Sequence, residues 1–305
     1  MRSLAVVLVL SCGPAALGAQ DTAAAQPSPS PSPPPPRSGA AFGIPLASLF
    51  VPGLGQYLQH APLAGLAYTG AAMGGYALYA GDPEAATAID LPRDAAGQRA
   101  FLGAQLATDA GALSAYDSFH RSLASLQHYG KYRFITSHDS PGRLFLAPLD
   151  LRMLKRWTTW ADLAHTAIVV AVVLGERRPG VQYPPLRTGD DVFVASFSYG
   201  AAVGEEALFR GWLYPVLYQA TDERMWLSNG VQAAVFGTLH IPRAKGYAAV
   251  IAGWAFWEGW VTRRNGWSVR ESVFHHFWYD VAVGAATLLT QEQATVTIVF
   301  PAFQF

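Results

Sequence analysis

The sequence predicts an all-α, polytopic membrane protein, a bundle of about seven or eight transmembrane helices. Two observations carry that prediction. Of the 305 residues, 51% are hydrophobic and only 14% are charged, against about a quarter charged in soluble domains. Apolar stretches of about 15–25 residues, the length that crosses a bilayer, recur near 41–59, 62–80, 100–120, 158–175, 191–218, 227–240, 247–261 and 268–290. The stretch ending at 240 is short for a crossing, and 100–120 carries Asp109 and Asp117 within it. Lys+Arg and Asp+Glu are 21 each, so net charge points to neither a nucleic-acid partner nor an acidic substrate. The lone cysteine, Cys12, excludes an intrachain disulfide and a cysteine-ligated zinc site, and argues against a cysteine nucleophile.

Taken in order, residues 1–19 have one arginine, a short apolar core and small residues ending at Ala19, the outline of a secretory signal peptide. VLSC around Cys12 is similar to a lipoprotein processing site, so cleavage and lipidation both stay open. Residues 20–40, which include QPSPSPSPPPPR, read as an extended, disordered linker of polyproline type with no core of its own. Residues 41–157 read as an N-terminal membrane region of unknown role. In it, Pro52, Gly53, Gly55 and Gln56 resemble the Pro-Gly-x-Gly-Gln hairpins of small bacterial membrane proteins, where proline and glycine break a helix into a turn. The long amphipathic loop Arg121–Arg156 divides this region from a core at 158–290. The tail Thr295–Phe305 alternates and reads as a short strand or extended segment. The rest of the chain lacks the repeated alternating strands of an outer-membrane barrel.

Loop charge orients the bundle. If all eight stretches cross, Arg121, Lys131, Arg133, Arg143, Arg152, Lys155, Arg156, Arg224, Arg263, Arg264 and Arg270 share one side. Arg177, Arg178, Arg187, Arg243 and Lys245 face the other. The richer side belongs in the cytoplasm. The acidic loop Gly81–Asp94 and the Pro-rich N-terminus then fall outside, as a cleaved signal peptide requires. A signal peptide of this type on a multi-pass chain predicts a bacterial inner membrane.

Charge inside a span is expensive and marks function by default. The last four stretches hold Glu205, Glu206, Arg210, His240, Glu258, His275, His276 and Asp280. Neighbouring helix positions lie about 100° apart, so Glu205 and Glu206 cannot aim at one partner. Glu206 and Arg210 are i, i+4 and pair on one face. Glu205 has no cation nearby in sequence and sits with Phe209 and Trp212, a desolvated setting that suits a general base. Phe236 lies one turn before His240. His276 and Asp280 are i, i+4, while His275 points toward Glu271 and Tyr279. Glu205, His240, His276 and Asp280 are therefore expected to converge. Glu258, among Trp254, Trp257 and Trp260, reads as structural or interfacial. Asp109, Asp117, Asp162 and His165 read as polar groups of the bundle.

The ordered set Glu205-Glu206-x-x-x-Arg210, Phe236-x-x-x-His240 and His276-x-x-x-Asp280 resembles the three motifs of the CAAX-protease and bacteriocin-processing (CPBP, or Abi) family of intramembrane glutamic endopeptidases. Gly259–Val269 is similar to the turn before that family's last helix, and the likeness covers about residues 190–290. The resemblance implies that Glu205, helped by His240, activates a water against a peptide carbonyl. It implies that His276 and residue 280 stabilise the oxyanion, and that Glu206 and Arg210 hold the helix and Glu205 in place. It implies no metal or other cofactor. Its substrate would be a membrane-associated protein or peptide cut near the bilayer. Many members carry Asn where this chain has Asp280. An ionised Asp cannot donate to an oxyanion, so Asp280 is either protonated, or orients His276, or serves another role.

Two rivals stand beside this reading. Glu205, His240, His276 and Asp280 are all possible zinc ligands, although His-Glu-x-x-His is absent. A non-enzymatic immunity or scaffold protein could retain the same residues. Gly-x-Ser-x-Gly is absent, and Arg187 in RTGDD stands where a presenilin-like motif needs glycine.

Overall fold

The computed structural model describes residues 40–83, 91–137, 139–175, 183, 185–241 and 247–290. The expected signal peptide, the expected linker before residue 40, the tail 291–305, Arg177, Arg178, Arg243 and Lys245 lie outside the described residues. The described residues form helices and turns, with no strand among them.

The stretch 41–59 does not form one crossing helix. It folds as α1 (Gly43–Phe50) and α2 (Leu54–Leu58), which rise about 12 Å and 8 Å at 1.5 Å per residue. The break is at Gly53, whose φ of 97° is a backbone state that glycine adopts without strain. The same turn docks on a distant helix. Gly53 N donates to Ser114 Oγ at 2.8 Å. Gln56, fully buried, donates to the Ser114 carbonyl at 2.9 Å and to Asp117 at 3.0 Å.

Helix α3 (Pro62–Tyr79) leads to α4 (Ala95–His128), 34 residues and about 51 Å long. Asp94 starts α4 by accepting from the amides of Ala96 and Gly97 at 3.0 and 2.9 Å. Those amides, Gly97 foremost, hold its carboxyl below the usual carboxylate range. The first residues of the expected loop at 121–156 are thus helical. Gln105, Asp109, Ser114, Asp117 and Ser118 on α4 are all buried against protein, which is how a long helix carries two aspartates. A short α5 (Pro141–Leu146) and two 3₁₀ turns (Ala147–Leu149, Leu151–Lys155) complete the connection.

Helix α6 (Trp157–Gly175) is the one helix among the described residues that is long and apolar enough to cross a membrane, with 19 residues at mean hydropathy 1.4. Trp160, Ile168 and Val172 on it are exposed. The sequence led to an expectation of about seven or eight such helices. The others of comparable length carry glycine, hydroxyl or charged residues that lower their apolarity. Even so, large apolar side chains stand exposed elsewhere, at Leu63, Leu66 and Met73 of α3 and at Val192, Trp226 and Val250.

Helix α7 (Asp190–Leu208) runs through a π turn, Phe209–Leu213, into α8 (Tyr214–Ala220). Pro215 has no N–H for the carbonyl four residues back, that of Gly211. His120 of α4 supplies the donor instead, Nε2 to Gly211 O at 3.3 Å. Helices α9 (Met225–Leu239), α10 (Ala248–Arg264) and α11 (Arg270–Thr290) follow. The stretch at 227–240 is 15 residues as α9, short for a crossing as its sequence indicates. The main packing pairs are α3 with α4, α4 with α7, α7 with α11, α11 with α6, and α9 with α10. Helix α4, from the N-terminal part of the chain, therefore lies directly against the helix that bears Glu205.

Candidate active site

Glu205 and Glu206 close the last turn of α7, immediately before the π turn. Such a widened turn recurs at functional sites, because it re-aims the side chains around it. Glu206 and Arg210 are both completely buried and form an ion pair at 3.1 Å, the pairing their spacing predicts. The Arg210 guanidinium lies 4.4 Å over the Phe236 ring and 5.5 Å over Trp254 and donates to the Ala255 carbonyl at 3.4 Å. An arginine with no access to water is retained by such partners taken together.

Helix α11 brings His276 to this pair. Its Nδ1 donates to Glu206 Oε1 at 2.9 Å, and its Nε2 lies 3.4 Å from Asp280 Oδ2 one turn on. Both ring nitrogens therefore face carboxylate oxygen. The ring is packed edge-on against Trp254 at 5.0 Å. Glu205 is buried, its Oε2 has no hydrogen-bond partner, and it is close enough to interact electrostatically with His276, Asp280, Asp109 and Glu206. Asp280 Oδ2 is likewise buried without a hydrogen bond. With Glu206 Oε2, the site thus holds three buried carboxylate oxygens without hydrogen bonds around a histidine fixed at Nδ1.

His240 sits at the C-terminal cap of α9. Its Nδ1 donates to the Phe236 carbonyl at 2.7 Å and its ring stacks on Phe236 at 4.5 Å. Phe236 also touches the His276 ring, at 6.4 Å between centroids. The residues expected to converge come together most tightly as Glu205, His276 and Asp280, with Glu206 and Arg210. His240 joins through Phe236. Among the described residues these side chains do not form a group of three metal-ligand atoms within 4.8 Å of one another.

The residue that sequence reasoning missed is Asp109. It lies on α4, outside every motif, yet it reaches Glu205 and His276 electrostatically. Two glycines of α7 let it in. A Cβ at Gly204 would meet Asp109 Oδ1 at 2.2 Å, and one at Gly200 would meet Oδ2 at 2.5 Å. The pair Gly200-x-x-x-Gly204 was a usable signal for close helix approach. Glu258 is not interfacial. It is fully buried and faces His275.

Residues 191–282 match the model of a protein family described as type II CAAX prenyl endopeptidase, Rce1-like. This segment is similar to that family. It covers less than a third of the chain and contains Glu205, Glu206, Arg210, Phe236, His240, His276 and Asp280. The expected resemblance to CAAX proteases holds for this segment. Asp109 and helix α4 lie outside it. No curated protein and no solved structure matches the chain.

Proposed function

We propose that this protein is a multi-pass endopeptidase of a bacterial inner membrane that hydrolyses peptide bonds of membrane-associated proteins or peptides by glutamic, metal-free catalysis. The observation that supports it is that one Rce1-like segment contains all the motif residues, and there a partnerless Glu205 oxygen stands beside His276. In this reading Glu205 is the general base. Its buried Oε2 accepts a proton from the attacking water, and His240 assists from the Phe236 side. His276 supplies the oxyanion donor. Glu206 fixes Nδ1 and so orients the ring, and in its imidazolium form His276 offers Nε2–H to the developing oxyanion, with the Asp280 carboxylate 3.4 Å away. Arg210 pairs with Glu206 and holds it in place. The lipid bilayer is the second partner, met by the exposed apolar side chains of α3 and α6.

The test is a cleavage assay on purified protein in lipid nanodiscs, with a library of peptides spanning membrane–water boundaries, run in ¹⁸O-labelled water. Wild type should create new C-termini carrying ¹⁸O. Glu205→Gln should create none at equal folding. Equal cleavage by the two proteins would refute the assignment of Glu205.

A further inference from the structure

A second buried polar cluster lies outside the proposed catalytic set. Asp162 of α6, Glu258 of α10 and His275 of α11 each offer one ligand atom, and these atoms lie within 4.8 Å of one another. All three side chains are buried, at 2%, 0% and 1% exposure, and they come from three different helices.

The hydrogen bonds around His275 fix how its ring is held. Thr159 donates to Glu271 Oε1 at 3.4 Å, so its hydroxyl oxygen is free to accept from His275 Nε2 at 3.0 Å. Nε2 therefore carries a proton, and Glu271 Oε1, 3.6 Å away, backs it. Glu271 is itself held by Arg156, Thr158 and Asn265. Nδ1 is left facing the Glu258 carboxylate, 3.1 and 3.3 Å from its two oxygens. A lone pair against a carboxylate repels unless a proton or a cation lies between them. A backed imidazole of this kind is the usual outer arrangement of a metal-ligating histidine.

A second observation is independent of that geometry. Asp162 Oδ1 accepts from the Trp254 indole at 3.0 Å, but Oδ2 is buried with no hydrogen-bond partner. Arg156 pairs with Glu271. No Lys or Arg is paired with Asp162 or Glu258 among the described residues. With a metal rather than a proton on His275 Nδ1, two carboxylates and a neutral imidazole carry the charge that one divalent ion balances, and unbalanced burial of that charge is severely penalised. The 3.1 Å separation of Nδ1 and Glu258 suits a tetrahedral ligand edge, about 3.3 Å at ordinary zinc–ligand lengths. A cleft of about 270 Å³ lined by Asp162, His165, Val250 and Trp254 reaches the site at Asp162.

We propose that Asp162, Glu258 and His275 bind a divalent metal ion of the zinc class that cross-links α6, α10 and α11. The ion is structural. It pins the first turns of α11, and so steadies His276 next to His275. This site is separate from Glu205, and it stands whether or not the chain is a protease.

The test is metal analysis of the full-length protein, purified in detergent, incubated with excess Zn²⁺ and desalted. Wild type should retain about one equivalent per chain. Asp162→Asn and Glu258→Gln should each lower retained zinc at least tenfold, while Glu205→Gln retains it. Loss of zinc in Glu205→Gln with retention in Asp162→Asn would overturn the inference, because the ion would then sit at the other site. Failure of wild type to retain zinc would also overturn it, leaving an imidazolium at His275. If the variants do not fold, X-ray absorption on zinc-loaded wild type decides. One imidazole with oxygen ligands supports this site. Two imidazoles point to His240 and His276 and refute it.

Discussion

At the residue scale, Arg210 shows most plainly why the motif spacing matters. Its guanidinium is sealed from water and its carboxylate partner, Glu206, also holds His276. Removing one member of such a pair leaves the other charge uncompensated, at about 3–5 kcal/mol. Arg210→Ala should therefore lower thermal stability in detergent by that order, and Glu206→Gln in the same chain should recover part of the loss. An Arg210→Ala protein as stable as wild type would show that the pair does not matter to the fold. His276→Ala should reduce cleavage by about a hundredfold to a thousandfold, the usual effect of losing one oxyanion donor. Asp280→Asn should change the rate by less than tenfold, since Asn still meets His276 Nε2 through its carbonyl oxygen and can donate besides. A larger loss in Asp280→Asn, measured in the same assay, would mean that the charge at 280 is itself required. The i, i+4 pairs Glu206–Arg210 and His276–Asp280 were legible in the sequence because one helix fixes both partners. The link from His276 to Glu206, seventy residues apart, was not, because it depends on how α7 and α11 pack.

At the element scale, the informative features are breaks and close approaches. The expected span at 41–59 shows the limit of reading apolar runs. Pro52 and Gly53 announced a turn, but only the partners Ser114 and Asp117 reveal that the two short helices dock on α4 through Gln56. Gln56→Leu removes that bridge and strands buried acceptors, at about 1–3 kcal/mol, so protease resistance of residues 40–83 should fall. The π turn was likewise invisible to periodicity. It follows from Pro215 and from His120, which belong to different helices. Asp109 was discounted because it carries no motif, although Gly200 and Gly204 are spaced to admit it. Gly204→Ala places a methyl group where Asp109 Oδ1 lies. It should cost about 1–3 kcal/mol as overpacking and depress cleavage, and Asp109→Ala in the same chain should relieve the stability loss. No relief would mean that Asp109 is not what Gly204 accommodates.

At the scale of the whole molecule, the helical architecture of the described residues was legible from apolar lengths, while the number of crossings was not. One described helix meets the length and apolarity of a span by itself. The others bury polar groups on α4, α7 and α11 against each other, which lowers their average hydropathy. Orientation can be read with single cysteines, because Cys12→Ser leaves a cysteine-free chain. Gly81→Cys and Lys131→Cys bracket α4 and should label from opposite sides of intact membranes, with Lys131→Cys reached only from the cytoplasm. Labelling of both from one side would contradict the proposed topology. The central claim, that Glu205 drives proteolysis, is tested most directly in cells. Protein termini in membrane and secreted fractions would be compared between wild type and Glu205→Gln at equal expression. The account predicts a set of membrane-associated proteins that keep an uncut segment only in the variant. Identical termini, under conditions where deleting the protein has a phenotype, would contradict it and leave the buried charges a structural or binding role.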